Sequence, residues 1–317
     1  MEEAEDYVSD HIAGRDFWVA LKAWSERLSG KRENEGVYFG REDTLLNQVA
    51  DPDEKQLSQA MDYLNRLTEQ SEVPVYFGVI PSSSAIWHER LPQGAPTADE
   101  ESVIRDLNGE SQAAVVDIYD ALAAHAGEAV YYRTDHHWTS LGAYYASAAY
   151  CQANGITPWA LDSYDTVIRT GYTGSLYMYG GHPTELKDNP DYSAARFPHA
   201  GYSMVYYRDG VQYNGQAVNG GTNEYAGMFL CGDQPLTVIT TDNKNGKTLL
   251  VFKESYGNAF VPYMIDYYER IVVVDIREEV GSVGDIIAQY GVTDALIINN
   301  CQAATSLRSN LESRALS

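Results

Sequence analysis

Three apolar runs in the last quarter of the chain, Thr248-Leu249-Leu250-Val251-Phe252, Ile271-Val272-Val273-Val274-Asp275-Ile276 and Ala295-Leu296-Ile297-Ile298, are each followed by a segment with helical spacing. Strands apolar on both faces must be covered on both faces, and short strands joined through helices pair in parallel. The chain is therefore restricted to an α/β class: a mostly parallel sheet flanked by helices. The same alternation runs earlier, with a short strand at Val37-Tyr38-Phe39, a helix over 54–70, a strand over 73–80 stopped at Pro81, and a Pro- and Ser-rich loop. Then come a helix near 97–109, a strand over 113–118, and a helix near 119–126. Ile12, Phe17, Trp18, Leu21, Trp24 and Leu28 predict an amphipathic helix over 10–29, and further helices are expected over 256–269, over 282–290 and from about 302. From about 160 to 245 the texture turns to Tyr, Gly, Asn and Asp with short alternating runs such as 202–207 and 228–230, which predicts a Tyr/Gly-rich β insertion. Residues 1–317 are expected to form one α/β domain carrying that insertion.

With 44% hydrophobic residues the chain can build a substantial core, and 45 acids against 22 bases give a formal net charge of -23. A surface that negative repels phosphate backbones and anionic headgroups, so nucleic acid is not an expected partner. No apolar run reaches the ~18 residues that span a bilayer. The first residues, Met1-Glu2-Glu3-Ala4-Glu5-Asp6, are acidic where a signal peptide would be basic and then apolar; the sequence leaves open whether a leader or anchor precedes them. Cys151, Cys231 and Cys301 are widely spaced and form no C-x-x-C pair, so they indicate neither zinc nor a disulfide framework and are expected as small buried residues.

Arg133-Thr134-Asp135-His136-His137-Trp138-Thr139 lies between an apolar stretch, 128–132, that reads as a strand, and a helix start at Ser140. In an extended segment Asp135 and His137 face the same way and His136 the other. A carboxylate beside an imidazole asks for a nucleophile. Lys253-Glu254-Ser255-Tyr256-Gly257-Asn258 follows an apolar strand and precedes a helix, the setting that lifts a serine Oγ to the rim of a sheet, with helix-start N–H groups around it. Half of the Gly-x-Ser-x-Gly elbow is present, and a serine that merely caps the helix is the competing interpretation. Ser82, Ser83 and Ser84 compete less well, because an extended loop offers them no helix N-terminus. Lys253 lacks the Ser-x-x-Lys spacing and is expected to face solvent or act as a neighbouring charge. A metal site on Asp135 and His136 with His182 or His199 is disfavoured, because adjacent histidines on a strand diverge and no H-x-x-x-H completes a shell. Trp138 is expected in the core or at its rim. Neither metal nor cofactor is expected.

The Asp135-His136-His137-Trp138 string, with strand-Ser255-helix far downstream, resembles the bacterial DHHW protein family. That family is in turn similar to the SGNH-hydrolase-like, flavodoxin-like domains of the alginate O-acetyltransferases. The resemblance extends from Tyr7, Asp10-His11 and Gly14-Arg15-Asp16 through Gly36-Val37-Tyr38-Phe39-Gly40 to Asp275-Ile276-Arg277. It implies Ser255 as nucleophile, His137 as base and Asp135 as orienting acid, with no role carried to His136. By the same topology Arg277, Asn299 or Asn300, and Tyr256 stand where oxyanion or substrate contacts would be made; an arginine where that family type has glycine is a departure, and a surface salt bridge of Arg277 with Glu278 or Glu279 is the alternative.

The implied activity is O-acetyl transfer to hydroxyls of a cell-surface or exported polysaccharide through an acetyl-Ser255 intermediate. A membrane-bound acyltransferase partner and an extracytoplasmic location are implied with it. A carbohydrate esterase with the same triad differs only in the acceptor. A non-catalytic glycan-binding protein on this scaffold would hold Ser255 and His137 beyond hydrogen-bond reach. The tyrosines of 160–245 serve either as platforms for a glycan or as strand formers.

Overall fold

The runs at 248–252, 271–276 and 295–298 lie side by side at the centre of one sheet. In the computed structural model, residue 25 and residues 30–183, 186, 191–278 and 282–304 are described; the expected helix over 10–29, apart from residue 25, and the chain beyond 304 fall outside them. The strands in chain order are β1 (Glu33–Asn34), β2 (Val37–Phe39), β3 (Leu45–Asn47), β4 (Val75–Ile80), β5 (Ala114–Val115), β6 (Asp165–Tyr172), β7 (Asp191–Phe197), β8 (Tyr202–Arg208), β9 (Val211–Gly215), β10 (Leu236–Thr241), β11 (Thr248–Lys253), β12 (Arg270–Asp275) and β13 (Asp294–Asn300). The main sheet has the order β5-β4-β13-β11-β12-β10-β8-β9. Its pairs are parallel from β5 to β12 and antiparallel from β12 to β9. It is a mixed, mostly parallel sheet in an α/β fold.

Side-chain alternation divides the central strands between two apolar clusters. Leu249, Val251, Ile271, Val273, Leu296 and Ile298 enter one; Leu250, Phe252, Val272, Val274, Ala295 and Ile297 enter the other. Burying a Val, Leu or Ile side chain stabilises by roughly 1.5–3 kcal/mol, so these strands supply a large share of the cohesion. The helix Glu54–Gln70 covers the second cluster with Ala60, Met61, Leu64 and Leu67, and Asp53 caps it by accepting from the Gln56 N–H.

Several local expectations fail for identifiable reasons. The strand over 113–118 shrinks to two residues because Asp117 caps a helix that already starts at Ile118. The loop after Pro81 is not extended: Ser82 caps the short helix Ser83–Ile86. Residues 128–132 form no strand, and a lone bridge joins Tyr131 to Trp138. The helix over 256–269 is Gly257–Met264. Within 160–245, β6 and β7 form a separate ribbon, whereas β8, β9 and β10 extend the main sheet.

Three adjacent parallel strands, β4, β13 and β11, end at Ile80, Asn300 and Lys253, so Ser82 and Ser255 follow two residues past the edge where open α/β sheets hold ligands. The helix Ser140–Ala153 lies over one face of the sheet, packs on Gly257–Met264 and is tied to it by Tyr263 Oη donating to the Ser140 carbonyl at 2.7 Å. Gly142, in its first turn, has no room for a side chain: a Cβ would lie 2.3 Å from the Val130 carbonyl oxygen. Alanine would gain about 1 kcal/mol of helix propensity but meet an overpacking cost of about 1–3 kcal/mol. Gly142→Ala is therefore expected to lower the urea midpoint; an unchanged or raised midpoint would show that this turn has slack.

Candidate active site

The 133–137 segment is bent, not extended, and the strand alternation expected there does not apply. Asp191 holds the bend, accepting from the Thr134 N–H (2.9 Å) and hydroxyl (2.7 Å) on one oxygen and from Arg133 Nε (3.1 Å) on the other. Within the bend Asp135 Oδ1 accepts from the His137 backbone N–H at 2.8 Å and lies 2.7 Å from its Nδ1. The other oxygen accepts from Tyr172 Oη at 2.9 Å and the Ser175 N–H at 2.8 Å. Burial pushes the Asp135 carboxyl up, but the His137 hydrogen bonds and the charges of His137 and His136 outweigh it and hold the group well below the carboxylate range. An ionised Asp135 assigns the proton to His137 Nδ1 and leaves Nε2 as an acceptor.

Ser255 lies in the turn after β11, with its Oγ 2.8 Å from His137 Nε2. The structure thus brings Asp135, His137 and Ser255 into one hydrogen-bonded line. Ser255 does not cap the helix; the capping position falls on Tyr256, which makes no side-chain cap bond. Tyr256 instead joins the two halves of the site. Its carbonyl accepts from Trp138 Nε1 (2.9 Å) and Tyr225 Oη (2.9 Å), and its own hydroxyl donates to the His136 carbonyl. The Tyr225 ring stacks on His137, centroids 4.0 Å apart. Trp138 is wholly buried. Gly257 permits the tight turn, since a Cβ there would lie 2.4 Å from that of Lys253.

His136 does not diverge from its neighbour. Its ring sits 3.9 Å from that of His137, and its Nδ1 is 2.6 Å from Ser175 Oγ. Burial, then the charge of His137, pushes the His136 imidazole down to about 4. Asp135, His136 and His137 bring potential metal-ligand atoms within 4.8 Å of one another. Both His137 nitrogens and both Asp135 oxygens are already in hydrogen bonds, however, so the donors suit an acid–base cluster better than a cation. His199 lies elsewhere, 2.9 Å from Asp266, and His182 packs edge-on against Tyr177.

The donors expected around the serine are differently placed. Glu254, fully buried, accepts from the Tyr256 N–H on Oε2 and from the Asn300 N–H on Oε1, each at 3.0 Å, and its Oε2 is 3.1 Å from Ser255 Oγ. Burial pushes this carboxyl up against the pull of those N–H groups and of the His137 charge. Arg277 binds Asp275 and Asp233, each at 2.7 Å from Nη2, rather than Glu278; Glu279 lies outside the described residues. Lys253 is buried, not solvent-facing, and lies 3.3 Å from both of those aspartates. Asn299 is buried with both side-chain polar atoms unpartnered. Cys151 and Cys301 are buried and Cys231 partly so. Tyr172, Ser175, Asp191 and Tyr225 belong to no sequence motif; Glu254 stands in the turn segment beside Ser255, with nothing there to mark its role.

Beside His136 and Tyr256 a cavity of about 300 Å³ opens, into which Ser82, Glu100, Tyr179, Asn300 and Gln302 also face. Glu100 is buried and accepts from the Ser82 hydroxyl and, at 3.3 Å, its N–H, both on Oε2. Burial raises the Glu100 carboxyl despite these bonds. The folded state then holds the proton more tightly than the unfolded chain, so the group is harmless below its ordinary value and costs stability as pH rises through the folded one. Glu100→Gln preserves the acceptor oxygen and is expected to stabilise by about 1 kcal/mol at about pH 7.5 but not at about pH 4. Urea titrations at both pH values check this; equal effects would mean that charge burial is not the cause.

A family model described as DHHW protein matches residues 106–274, and one described as SGNH hydrolase-like domain, acetyltransferase AlgX, matches residues 36–173. Among solved structures, a DHHW family protein from Eubacterium siraeum is 30% identical, with a TM-score of 0.79 covering 90% of this chain and 97% of that one. Bacillus cereus PatB1 is 18% identical, with a TM-score of 0.68 covering 83% and 95%. The O-acetyltransferase domain of Pseudomonas putida AlgJ is 16% identical, with a TM-score of 0.53 covering 85% and 92%. At such identities these last two share the fold. No curated protein matches the sequence.

Proposed function

Because the chain belongs to the DHHW protein family, with a family model over 106–274 and a 30% identical relative over 90% of its length, we propose that it is a serine-dependent O-acetyltransferase acting on glycan hydroxyls. The observation that supports this most directly is the line from Ser255 Oγ to His137 Nε2 (2.8 Å) and from Nδ1 to Asp135 (2.7 Å). A non-catalytic scaffold would not need that contact. The acetyl group is suggested by relatives whose names include an O-acetyltransferase domain and an acetyltransferase; we take the glycan acceptor from the family resemblance of the sequence.

In the first half-reaction Ser255 Oγ attacks the acyl carbonyl while His137 Nε2 takes its proton, and the proton leaves with the donor's departing group. In the second, an acceptor hydroxyl gives its proton to Nε2 and attacks the acetyl-serine, which restores the Ser255 hydroxyl. Asp135 keeps the imidazole in the competent tautomer and stabilises the imidazolium. The Tyr256 N–H is the natural oxyanion donor, and it serves once Glu254 gives it up. Tyr256 and Asn300 are retained as substrate-side contacts; Arg277 is not. Among the described residues no helix is long and apolar enough to cross a membrane. A membrane-bound partner that delivers the acetyl group, and work outside the cytoplasmic membrane, complete the proposal.

Incubation with p-nitrophenyl acetate followed by intact-mass measurement tests it. The wild-type chain should gain a single acetyl group, Ser255→Ala none, and Asp135→Asn should slow acylation roughly 10³- to 10⁴-fold. A Ser255→Ala variant that still gains the acetyl mass overturns the assignment. Release of acetate alone in the presence of competing oligosaccharides would mark an esterase.

A further inference from the structure

The cavity beside the serine differs in charge from what an acidic polysaccharide would need. Its walls include His136, whose ring lies on His137, Tyr256, which follows Ser255, and Asn300, whose N–H shares Glu254 with Tyr256. Ser255 does not itself line the cavity; its neighbour Tyr256 and His136, the neighbour of its base, do. Among the described residues the ionisable groups on the walls are the carboxyls of Glu35 and Glu100, the His136 imidazole, the Tyr179 and Tyr256 hydroxyls and the Cys301 thiol, and no Lys or Arg lines it. With its imidazole pushed down to about 4, His136 supplies no positive charge at neutral pH. Recognition of a carboxylate relies on Arg or Lys, and a uronate entering here would meet two acids in a protein of net charge -23. An uncharged sugar meets the amides of Gln302 and Asn300 and the half-exposed ring of Tyr179, on which the apolar face of a pyranose packs.

We propose that this cavity is the acceptor subsite and that it selects an uncharged glycan, turning away uronate polymers. The inference rests on the acyl-transfer reading, but its test is direct binding in the absence of any acyl donor. Calorimetric titration of the full chain at about 50 mM salt, where surface charge is weakly screened, would compare uncharged tetrasaccharides (glucan, mannan and N-acetylglucosamine tetramers) with tetramers of mannuronate and guluronate. At least one uncharged tetramer should bind about tenfold or more tightly than either uronate, and Glu35→Lys, a change on the exposed rim, should narrow that ratio several-fold. Equal or tighter binding of a uronate, no binding by any uncharged tetramer, or a ratio unmoved by Glu35→Lys would each overturn the proposal. Selective binding without acetylation of Ser255 would instead sink the transferase reading and leave a selective glycan site.

Discussion

A carboxylate withdrawn from water must have its lone pairs occupied, and among the described residues Asp135 meets that demand without a lysine or arginine partner. Its four hydrogen bonds come from the His137 backbone and ring, Tyr172 and Ser175. Satisfying them forces the 133–137 bend, brings β6 and the turn after it against the loop, and fixes which His137 nitrogen faces Ser255. Space is limiting as well: Gly174 passes so close that a Cβ would lie 2.1 Å from Asp135 Oδ2. Removing any of these donors would leave an unsatisfied buried charge, a penalty larger than the value of a single hydrogen bond.

The serine is placed between two carboxyl systems of opposite behaviour. Through His137 it is coupled to Asp135, which stays ionised; at 3.1 Å it also touches Glu254, whose proton burial helps to retain. One hydroxyl proton thus has two possible acceptors, and only the imidazole route leads to a nucleophile. Glu254 also keeps the Tyr256 and Asn300 N–H groups satisfied while no substrate is bound.

Much of the architecture was legible because it rests on short-range pattern. The wholly apolar runs at 248–252, 271–276 and 295–298 demanded coverage on both faces, and the helix at Glu54–Gln70 follows from its cap and spacing. Asp135, His137 and Ser255 could be singled out as residue types in the right settings. Their mutual geometry could not be derived that way, because the bend that pairs them is imposed by Asp191, Tyr172 and Ser175, which are remote in sequence. His136 was misplaced for the same reason: alternation holds in a strand, and 133–137 is not one. Arg277 takes other acid partners than the neighbouring glutamates expected for it, because Asp233, one of the two, is remote in sequence.

The parallel core carries a kinetic implication. The central strand β11 cannot be flanked on both sides until β12 and β13, which follow it in the chain, are made, and β13 must then pair with β4 from the opposite end of the sequence. Such non-local pairing makes folding slow. The serine turn follows a strand whose two neighbours both come later in the chain, so aligning the hydroxyl with the imidazole depends on pairings made after both residues.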